Sequence, residues 1–345
     1  MIINFLIIIQ GKMNFLRRLR QKWHNDILYR IQRHDDVVTK IMDKQEKDKN
    51  EILGALSWNN LEVIRFRDGL IRTTPRKTIK LCFDIIEECN LNCAGCLVYS
   101  PLVCDNGYVM TTSSFEKDVE RLSEIFDEDE IDVITISGGE PLLHKEVEKF
   151  PQIIRKYFGK VNIRIVTNGL LLLNQPDSFW NCCRENKVVL EQTKYPINLD
   201  FEQIAKLAEE KGVKHIYMDD TGENTKTMQI FPMDLKSMSE KSINAQNERL
   251  NFFNCWEANQ CIRVREGQMY TCSRIPHVKL LNKYFGLNYA VTKDDSIDIY
   301  EVGSKKEIYD FLASATRFCK YCKVAAISEG HEWSVSKRKL DEWAN

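Results

Sequence analysis

Three closely spaced cysteines, Cys89, Cys93 and Cys96, form the part of this sequence best suited to chemistry. They follow the apolar, β-branched run from Ile79 to Ile86, which predicts a buried strand that ends just before them. A loop leaving a strand can wrap three thiolates around three irons of a [4Fe–4S] cluster, so that the fourth iron has no protein ligand. That iron can chelate a substrate or cofactor, as the open position of a catalytic zinc does. The spacing alone also allows a zinc site or a chance arrangement.

Two further elements that could contact a ligand follow predicted strands. The sequence Ser137-Gly138-Gly139-Glu140-Pro141 comes directly after the buried run 133–136, and Thr167-Asn168-Gly169 ends the next strand. Glycines let the backbone approach a ligand closely, and the Glu140 carboxylate can accept a hydrogen bond from an ammonium group. Because chemistry in barrels sits at the carboxyl ends of the strands, we expect these elements to meet the cysteine loop.

A second group of cysteines lies near the C-terminus and comprises Cys255, Cys261, Cys272, Cys319 and Cys322. Residues alternate between apolar and polar from Cys261 to Cys272, and Glu266-Gly267 in the middle predicts a hairpin that presents Cys272 on its return strand. An iron–sulfur cluster, a structural zinc and unrelated free thiols are the three interpretations of this group.

The chain resembles the radical S-adenosylmethionine (SAM) enzymes over roughly residues 78–218. The resemblance rests on the cysteine triad, the Ser-Gly-Gly-Glu-Pro sequence and the Thr-Asn-Gly sequence. The resemblance implies that Cys89, Cys93 and Cys96 ligate a [4Fe–4S] cluster whose fourth iron takes the amino and carboxylate groups of SAM. Gly95 stands where most of that family carries an aromatic residue near the adenine. The SAM-binding residues that the resemblance implies are Gly138, Gly139, Glu140, Pro141, Thr167 and Asn168.

The C-terminal cysteines resemble the twitch domain, a shortened SPASM domain that holds one auxiliary [4Fe–4S] cluster. A cysteine before a hairpin, a G-x4-C step and a later C-x2-C make up that likeness. The best twitch-like spacing belongs to the set Cys255, Cys272, Cys319 and Cys322. Cys261 is nearly as good a candidate as Cys255, so the sequence leaves the choice between them open.

The resemblance implies that the reduced cluster cleaves SAM and that a 5′-deoxyadenosyl radical abstracts hydrogen from a substrate. We expect a small, sugar-type substrate that is oxidised through the auxiliary cluster, with a flavodoxin- or ferredoxin-type electron donor. Epimerisation is one alternative, in which Cys104, in the loop after the triad, returns a hydrogen atom. A peptide-modifying radical SAM enzyme is a second, and a non-enzymatic iron–sulfur or zinc-binding sensor or scaffold is a third.

Composition limits the class of protein. The 345 residues carry a net charge of −1, which gives no indication of a nucleic-acid partner. Twelve cysteines in a chain of this size, clustered at ligand-like spacings, favour metal ligation in a reducing compartment over a disulfide scaffold. We therefore expect a cytoplasmic protein. The sequence does not indicate its oligomeric state.

Strand and helix patterns alternate from about residue 78, which predicts a parallel sheet covered by helices. We expect strands at 79–86, 133–136, 161–167, 187–192 and 214–218, with helices at about 113–126, 146–158, 177–185 and 200–211. Ser113 or Ser114 is expected to cap the first of these helices, and Asp200 the last. With the resemblance, this gives an α/β fold with a partial (β/α)6 TIM-like barrel and a small C-terminal iron–sulfur domain.

The N-terminal part is expected to be an extension. Residues 13–50 have the periodicity of a basic amphipathic helix, and 60–76 that of a short hairpin. Docking of the helix on protein is the favoured interpretation, and contact with a membrane surface is the alternative. The predicted domains are thus 1–77 for the helix and hairpin extension, 78–220 for the barrel core, and 221–345 for barrel completion and the twitch-like domain.

Overall fold

The computed structural model describes residues 79–218, 227–228, 231–238, 248–324 and 331–345. The expected N-terminal helix at 13–50 and hairpin at 60–76 lie outside these residues. No helix in the described part of the chain is both long enough and apolar enough to cross a membrane.

Five strands and four helices alternate along the first described range, as the sequence pattern predicts. The strands are β1 (Ile79–Ile86), β2 (Ile131–Gly138), β3 (Asn162–Thr167), β4 (Val188–Thr193) and β5 (Lys214–Met218). The helices between them are α1 (Thr112–Ile125), α2 (Lys149–Tyr157), α3 (Asp177–Glu185) and α4 (Phe201–Glu210). Later elements are β6 (Thr227–Met228), α5 (Glu248–Asn254), β7 (Ile262–Arg265), β8 (Gln268–Tyr270), α6 (Arg274–Phe285), β9 (Ile297–Asp298), α7 (Lys305–Leu312) and β10 (His331–Glu332).

The main sheet has the order β5-β4-β3-β2-β1-β7-β8-β9. Strands β1 to β5 are parallel, and β7 adds a further parallel strand on the free side of β1. This α/β architecture, a parallel sheet with connecting helices, is the predicted partial TIM-like barrel. Strands β6 and β10 form a separate antiparallel pair.

The predicted hairpin is present as β7 and β8, which pair antiparallel. Its turn residues Glu266 and Gly267 have φ angles of 51° and 77°, the left-handed conformation that tight hairpin turns require. Because β7 pairs with β1, the hairpin belongs to the same sheet as the strand that precedes the cysteine triad.

The two faces of β1 carry different residues. Leu81, Phe83 and Ile85 are buried in the large apolar core, where Phe83 packs edge-on against Phe115 at 4.7 Å between ring centroids. Cys82 and Asp84 alternate with them, so they lie on the opposite face of the sheet. Helices cover one face, which leaves the other for polar groups.

The predicted helix caps were partly correct. Asp200 caps α4, because its side chain accepts a hydrogen bond from the Gln203 backbone N–H. The prediction of Ser113 or Ser114 for α1 was wrong: Thr111 is the cap, and its side chain accepts from the Ser114 N–H. Four hydroxyl residues lie in one run, 111–114, and only the backbone conformation of Thr111 is extended as a cap requires, because the helix begins at Thr112.

Candidate functional site

The cysteine triad lies in the loop after β1, as predicted. Cys89, Cys93 and Cys96 are close enough for their charges to interact. Burial, together with the neighbouring Cys96, Glu140 and Cys93, raises the pKa of Cys89 to about 12. A free thiol there would stay protonated at neutral pH, whereas metal ligation deprotonates cysteine.

The glycines after β2 allow close contact between two loops. Gly139 N donates to the Ile86 carbonyl at 2.7 Å, and Glu140 N donates to the Glu88 carbonyl at 2.9 Å. A Cβ atom at Gly139 would lie 2.1 Å from the Glu88 oxygen, so only glycine fits at this distance. Gly138 has a φ of 133°, a backbone angle that residues other than glycine rarely adopt. These contacts attach the Gly-Gly-Glu-Pro loop to the base of the cysteine loop.

Glu140 is the centre of the predicted SAM-binding residues, and it is only 1% exposed. Its Oε1 accepts hydrogen bonds from the Thr167 hydroxyl at 2.7 Å and the Leu142 N–H at 3.1 Å, and its Oε2 accepts from the Asn168 N–H at 2.9 Å. Burial raises the pKa of Glu140 to about 7 in spite of these bonds. A carboxylate can accept about four hydrogen bonds, so these three leave capacity for a ligand's ammonium group.

Asn168 links this carboxylate to the cysteine loop. Its Nδ2 donates to Asn90 Oδ1 at 2.7 Å and lies 3.8 Å from Cys89 Sγ, while its Oδ1 accepts from the Leu170 N–H. The structure therefore brings the three predicted elements together at the carboxyl edge of β1, β2 and β3. Their roles in binding a cluster and SAM stay predictions.

Tyr195 and Trp333 also belong to this site, and the sequence interpretation gave them no role there. Burial and the Cys93, Cys96 and Cys89 thiols raise the pKa of Tyr195 well above its usual range. The Tyr195 and Trp333 ring centroids are 5.6 Å apart. Tyr195 follows the end of β4, so its place at the carboxyl edge was the signal that could have identified it. For Trp333 the sequence holds no such signal.

The C-terminal segment, residues 331–345, packs on the cysteine loop. Ala94 N donates to the Ser334 carbonyl and Ser336 N to the Asn92 carbonyl, both at 2.9 Å. Trp343 Nε1 donates to the Cys96 carbonyl at 3.0 Å. A cleft of about 390 Å³ opens between Ala94-Gly95 and this segment. The segment thus covers one side of the loop that carries the triad.

Four of the C-terminal cysteines come together from three separate parts of the chain. Cys255 follows α5, Cys272 follows β8, and Cys319 and Cys322 lie in or beside a short 3-10 helix. Burial, together with the Cys322, Cys272 and Cys319 thiols, raises the pKa of Cys255 well above its usual range. Burial likewise raises the pKa of Cys319 to about 12.

Cys261 lies elsewhere. It hydrogen-bonds with Cys82, and Arg263 Nη1 donates to Cys82 Sγ at 2.5 Å. The reason is the strand register, because Cys261 immediately precedes β7 and β7 pairs with β1 through Leu81 and Ile262. Cys255, and not Cys261, therefore accompanies the other three thiols, a choice that the sequence left open.

Buried charged residues connect β1, β7 and α6 between the two thiol groups. Arg263 pairs with Asp84 at 2.8 Å and Arg265 with Glu87 at 2.7 Å. His277 lies between the two acids, with Nε2 2.9 Å from Asp84 and Nδ1 3.4 Å from Glu87. Although burial opposes it, the charges of Arg263 and His277 lower the pKa of Asp84. The network fixes the hairpin and α6 against the strand that precedes the triad.

Cys104, the candidate hydrogen donor, is exposed, and its Sγ donates to the Leu102 carbonyl at 3.3 Å. The structure brings it into none of the groups described above.

The two thiol groups differ from a site for a single metal ion. In the described ranges, no three His, Cys, Asp or Glu side chains are grouped as ligands of one ion. In a [4Fe–4S] cluster each cysteine binds a different iron, so the ligands surround a cube and need not meet at one point. Three thiols beside a carboxylate with spare capacity fit a cluster with an open iron, and four thiols that are partly or fully buried fit a fully ligated one.

Comparison with known proteins finds likenesses over the part of the chain that carries the triad. Residues 84–219 match the family model of the radical SAM superfamily. A segment of 97 residues is 32% identical to molybdenum cofactor biosynthesis protein 1 of Dictyostelium discoideum, over 28% of this chain and 15% of that protein. A segment of 103 residues is 34% identical to a GTP 3′,8-cyclase of Campylobacter jejuni, over 30% of this chain and 31% of the relative. The chain thus spans less than a third of the length of either relative.

Among solved structures, BtrN in complex with AdoMet and 2-DOIA is 17% identical, with a TM-score of 0.44 over 72% of this chain and 94% of that chain. The structure of anSMEcpe with bound AdoMet is 14% identical, with a TM-score of 0.42 over 72% of this chain and 84% of that one.

Proposed function

We propose that this chain, whose residues 84–219 match the radical SAM superfamily model, is an enzyme that oxidises a small polar substrate through a second, auxiliary cluster. The observation that carries this proposal is the group of four thiols, Cys255, Cys272, Cys319 and Cys322. Four thiolates complete the coordination of four irons, so no iron is left open to bind a substrate. Such a cluster is suited to accept an electron.

A reduced [4Fe–4S] cluster bound beside SAM would supply the electron for cleavage of SAM to methionine and a 5′-deoxyadenosyl radical, which would abstract hydrogen from the substrate. Cys89, Cys93 and Cys96 would hold that cluster. Glu140 accepts a hydrogen bond from the ammonium group, and Asn168 keeps that carboxylate next to the cysteine loop. Tyr195 would restrict the access of water to the thiols, because it is half-buried beside them.

The substrate radical can then lose one electron and one proton to give a stable product. A carbon radical that bears a hydroxyl group becomes a carbonyl when it loses one electron and one proton. A cluster held by Cys255, Cys272, Cys319 and Cys322 would accept the electron and water the proton, so the overall reaction would be dehydrogenation of an alcohol.

The sheet face that the helices leave free supports a polar substrate. Arg164 and Glu191 pair across β3 and β4 at 2.6 Å, and Asp84 and Arg263 pair across β1 and β7 at 2.8 Å. Charged pairs on this face would be costly to bury against an apolar molecule. Sugar-type hydroxyl groups can hydrogen-bond with them, which is why we propose a sugar-type substrate.

A GTP 3′,8-cyclase is the second candidate function, because curated relatives that match this chain carry that name. A nucleoside triphosphate brings several negative charges and needs cations that are free to pair with them. The arginines of β7, which pairs with the strand before the triad, are Arg263 and Arg265, and they already pair with Asp84 and Glu87. We therefore rank this function second. A flavodoxin- or ferredoxin-type donor and a cytoplasmic location are further parts of the main proposal.

The test is anaerobic incubation with SAM and dithionite, followed by analysis of the products. Formation of 5′-deoxyadenosine that stops in the Cys89, Cys93, Cys96→Ala variant supports the radical SAM assignment, whereas its absence in the wild type refutes it. Consumption of GTP, and of no member of a panel of sugars and polyols, would establish the second function instead.

A run in heavy water separates oxidation from epimerisation. An oxidised product without solvent deuterium at the reacting carbon supports transfer of the electron to the auxiliary cluster. A deuterated, unoxidised product would contradict it, and loss of that label in Cys104→Ala would identify the hydrogen donor.

A further inference from the structure

Arg274 is a buried cation beside the four C-terminal thiols. It is 2% exposed, its Nη2 donates to the Phe231 carbonyl at 2.7 Å, and its guanidinium lies 4.6 Å from the centre of the Phe231 ring. Phe231 itself packs against Cys322 and Cys255. The remaining guanidinium nitrogens, Nε and Nη1, are buried and have no nitrogen or oxygen partner among the described residues.

The groups that face this guanidinium are thiols and one phenol. Tyr99, Cys322, Cys272 and Cys255 lie close enough to Arg274 for electrostatic interaction. Cys322 is within hydrogen-bonding reach of the guanidinium. A free thiol is neutral at neutral pH, so these partners balance the guanidinium's charge only as metal-bound thiolates. Among the described residues, no carboxylate forms an ion pair with Arg274, and its Nε and Nη1 have no hydrogen-bond partner.

The position of Arg274 in α6 increases this cost. It is the first residue of the helix, where the aligned peptide dipoles already place partial positive charge. The N–H of the next residue, Ile275, points at Cys272. An unpaired buried charge is strongly destabilising. Thiolates that ligate a negatively charged cluster would compensate the charge of an arginine at this position.

One acidic side chain faces the same thiols. Glu257 is buried, and its charge bears on Cys255, Cys272 and Cys322. Its Oε1 accepts hydrogen bonds from the Ser273 N–H and hydroxyl, and it also faces Arg263. The negative charge of Glu257 opposes added negative charge on the thiols. Arg274 is a buried cation that favours this added charge.

We propose that Arg274 is a positioning residue that stabilises the reduced state of the auxiliary cluster, which makes the cluster an acceptor for the substrate's electron. This inference rests on the proposed function. A cluster held by four thiolates is negatively charged, and its negative charge grows by one on reduction. A fixed, buried positive charge and N–H groups directed at the sulfurs favour that more negative state. If the cluster only stabilised the fold, the charge of Arg274 would have little effect on oxidation of the substrate.

The test is a redox titration of the auxiliary cluster, followed by electron paramagnetic resonance. It is performed on the full chain carrying Cys89, Cys93 and Cys96→Ala, so that the second cluster gives the signal. Arg274→Gln removes the buried charge and keeps hydrogen-bonding capacity. Lys320→Gln is the matched control, because Lys320 lies between two of the thiols in sequence but is partly exposed, where water screens its charge.

We expect Arg274→Gln to lower the equilibrium constant for reduction at least about tenfold, a fall of about 59 mV for one electron. Lys320→Gln and the charge-retaining Arg274→Lys should shift it much less. Equal potentials in Arg274→Gln and Lys320→Gln would overturn the proposal. If Arg274→Gln binds no iron, Arg274→Lys must still bind it, and loss of iron from both would show a purely structural role. Absence of a second cluster when Arg274 is intact would refute the proposed function instead.

Discussion

At the scale of single residues, the structure distinguishes Cys255 from Cys261. Their spacing in the sequence makes them nearly equal candidates as a ligand. Cys255 lies with Cys272, Cys319 and Cys322, whereas Cys261 hydrogen-bonds with Cys82 at the edge of β7. Cys255→Ala should therefore remove one ligand of the auxiliary cluster, and Cys261→Ala none.

The measurement is iron content after anaerobic purification. The wild type should hold about eight irons, Cys261→Ala the same number, and Cys255→Ala about four fewer. Loss of iron in Cys261→Ala with full retention in Cys255→Ala would contradict the ligand set. About four irons with one zinc in the wild type would instead indicate a structural zinc site.

Glu140 gives a prediction on pH. Because burial raises its pKa to about 7, the carboxyl becomes protonated and neutral as the pH falls through that value. A neutral carboxyl does not attract the SAM ammonium group, so the affinity of the wild type for SAM should weaken below about pH 7 and stay constant above about pH 8.

Calorimetry with cluster-loaded protein at several pH values checks this. At about pH 8, Glu140→Gln should bind SAM more weakly by about 1.5–3 kcal/mol, the value of a hydrogen bond to a charged group. The variant should also lose the pH dependence. An affinity equal to that of the wild type at this pH would remove Glu140 from the SAM site.

At the scale of elements, the contact between the loops after β1 and β2 depends on the absence of a side chain. A Cβ at Gly139 would lie 2.1 Å from the Glu88 carbonyl oxygen and 2.6 Å from that of Glu87. Gly139→Ala should therefore push the loops apart and lower the free energy of unfolding by on the order of 3 kcal/mol.

Gly159→Ala is the matched control, because nothing lies within 4 Å of its added Cβ. Urea unfolding of both variants, with iron content as a second readout, checks the prediction. Gly159→Ala should stay within about 0.5 kcal/mol of the wild type. A similar small effect at Gly139 would show that the loops can separate without cost.

At the scale of the whole molecule, the two thiol groups belong to different parts of one structure. The triad follows β1, and the hairpin that precedes Cys272 is joined to the same strand through β7. The Asp84, Glu87, Arg263, Arg265 and His277 network ties the hairpin and α6 to that strand. We therefore expect two clusters that assemble independently on a common support.

The Cys89, Cys93, Cys96→Ala variant tests this independence. It should lose about four irons and all cleavage of SAM, while the auxiliary cluster's iron remains. The variant's melting temperature is the control, because the triad loop lies outside the main apolar core. Loss of all iron would show that the two sites depend on each other.

Local patterns in the sequence were sufficient to predict the strands and helices of residues 79–218. They were also sufficient to predict that the cysteine loop and the elements after β2 and β3 lie together. The apolar run at β1, the glycines after β2 and the Thr-Asn-Gly turn after β3 are each short, and their positions follow from strand ends alone. For that reason the α/β fold, the hairpin at Glu266-Gly267 and the grouping of Glu140 with Thr167 and Asn168 were predictable. The strands and the turn depend on backbone conformations set within a few residues. The grouping of Glu140 with Thr167 and Asn168 follows because neighbouring parallel strands end at the same edge of the sheet.

The tertiary structure decided the rest, because it depends on contacts between distant segments. Pairing of β7 with β1 places Cys261 beside Cys82 and leaves Cys255 for the thiol group. Packing of the C-terminal segment brings Trp343 to the Cys96 carbonyl, 247 residues away along the chain. Nothing in the sequence distinguishes Arg274 from the other basic residues, and only burial beside four thiols makes its charge significant. Strand register and burial are properties of the folded chain, so no local pattern carries them.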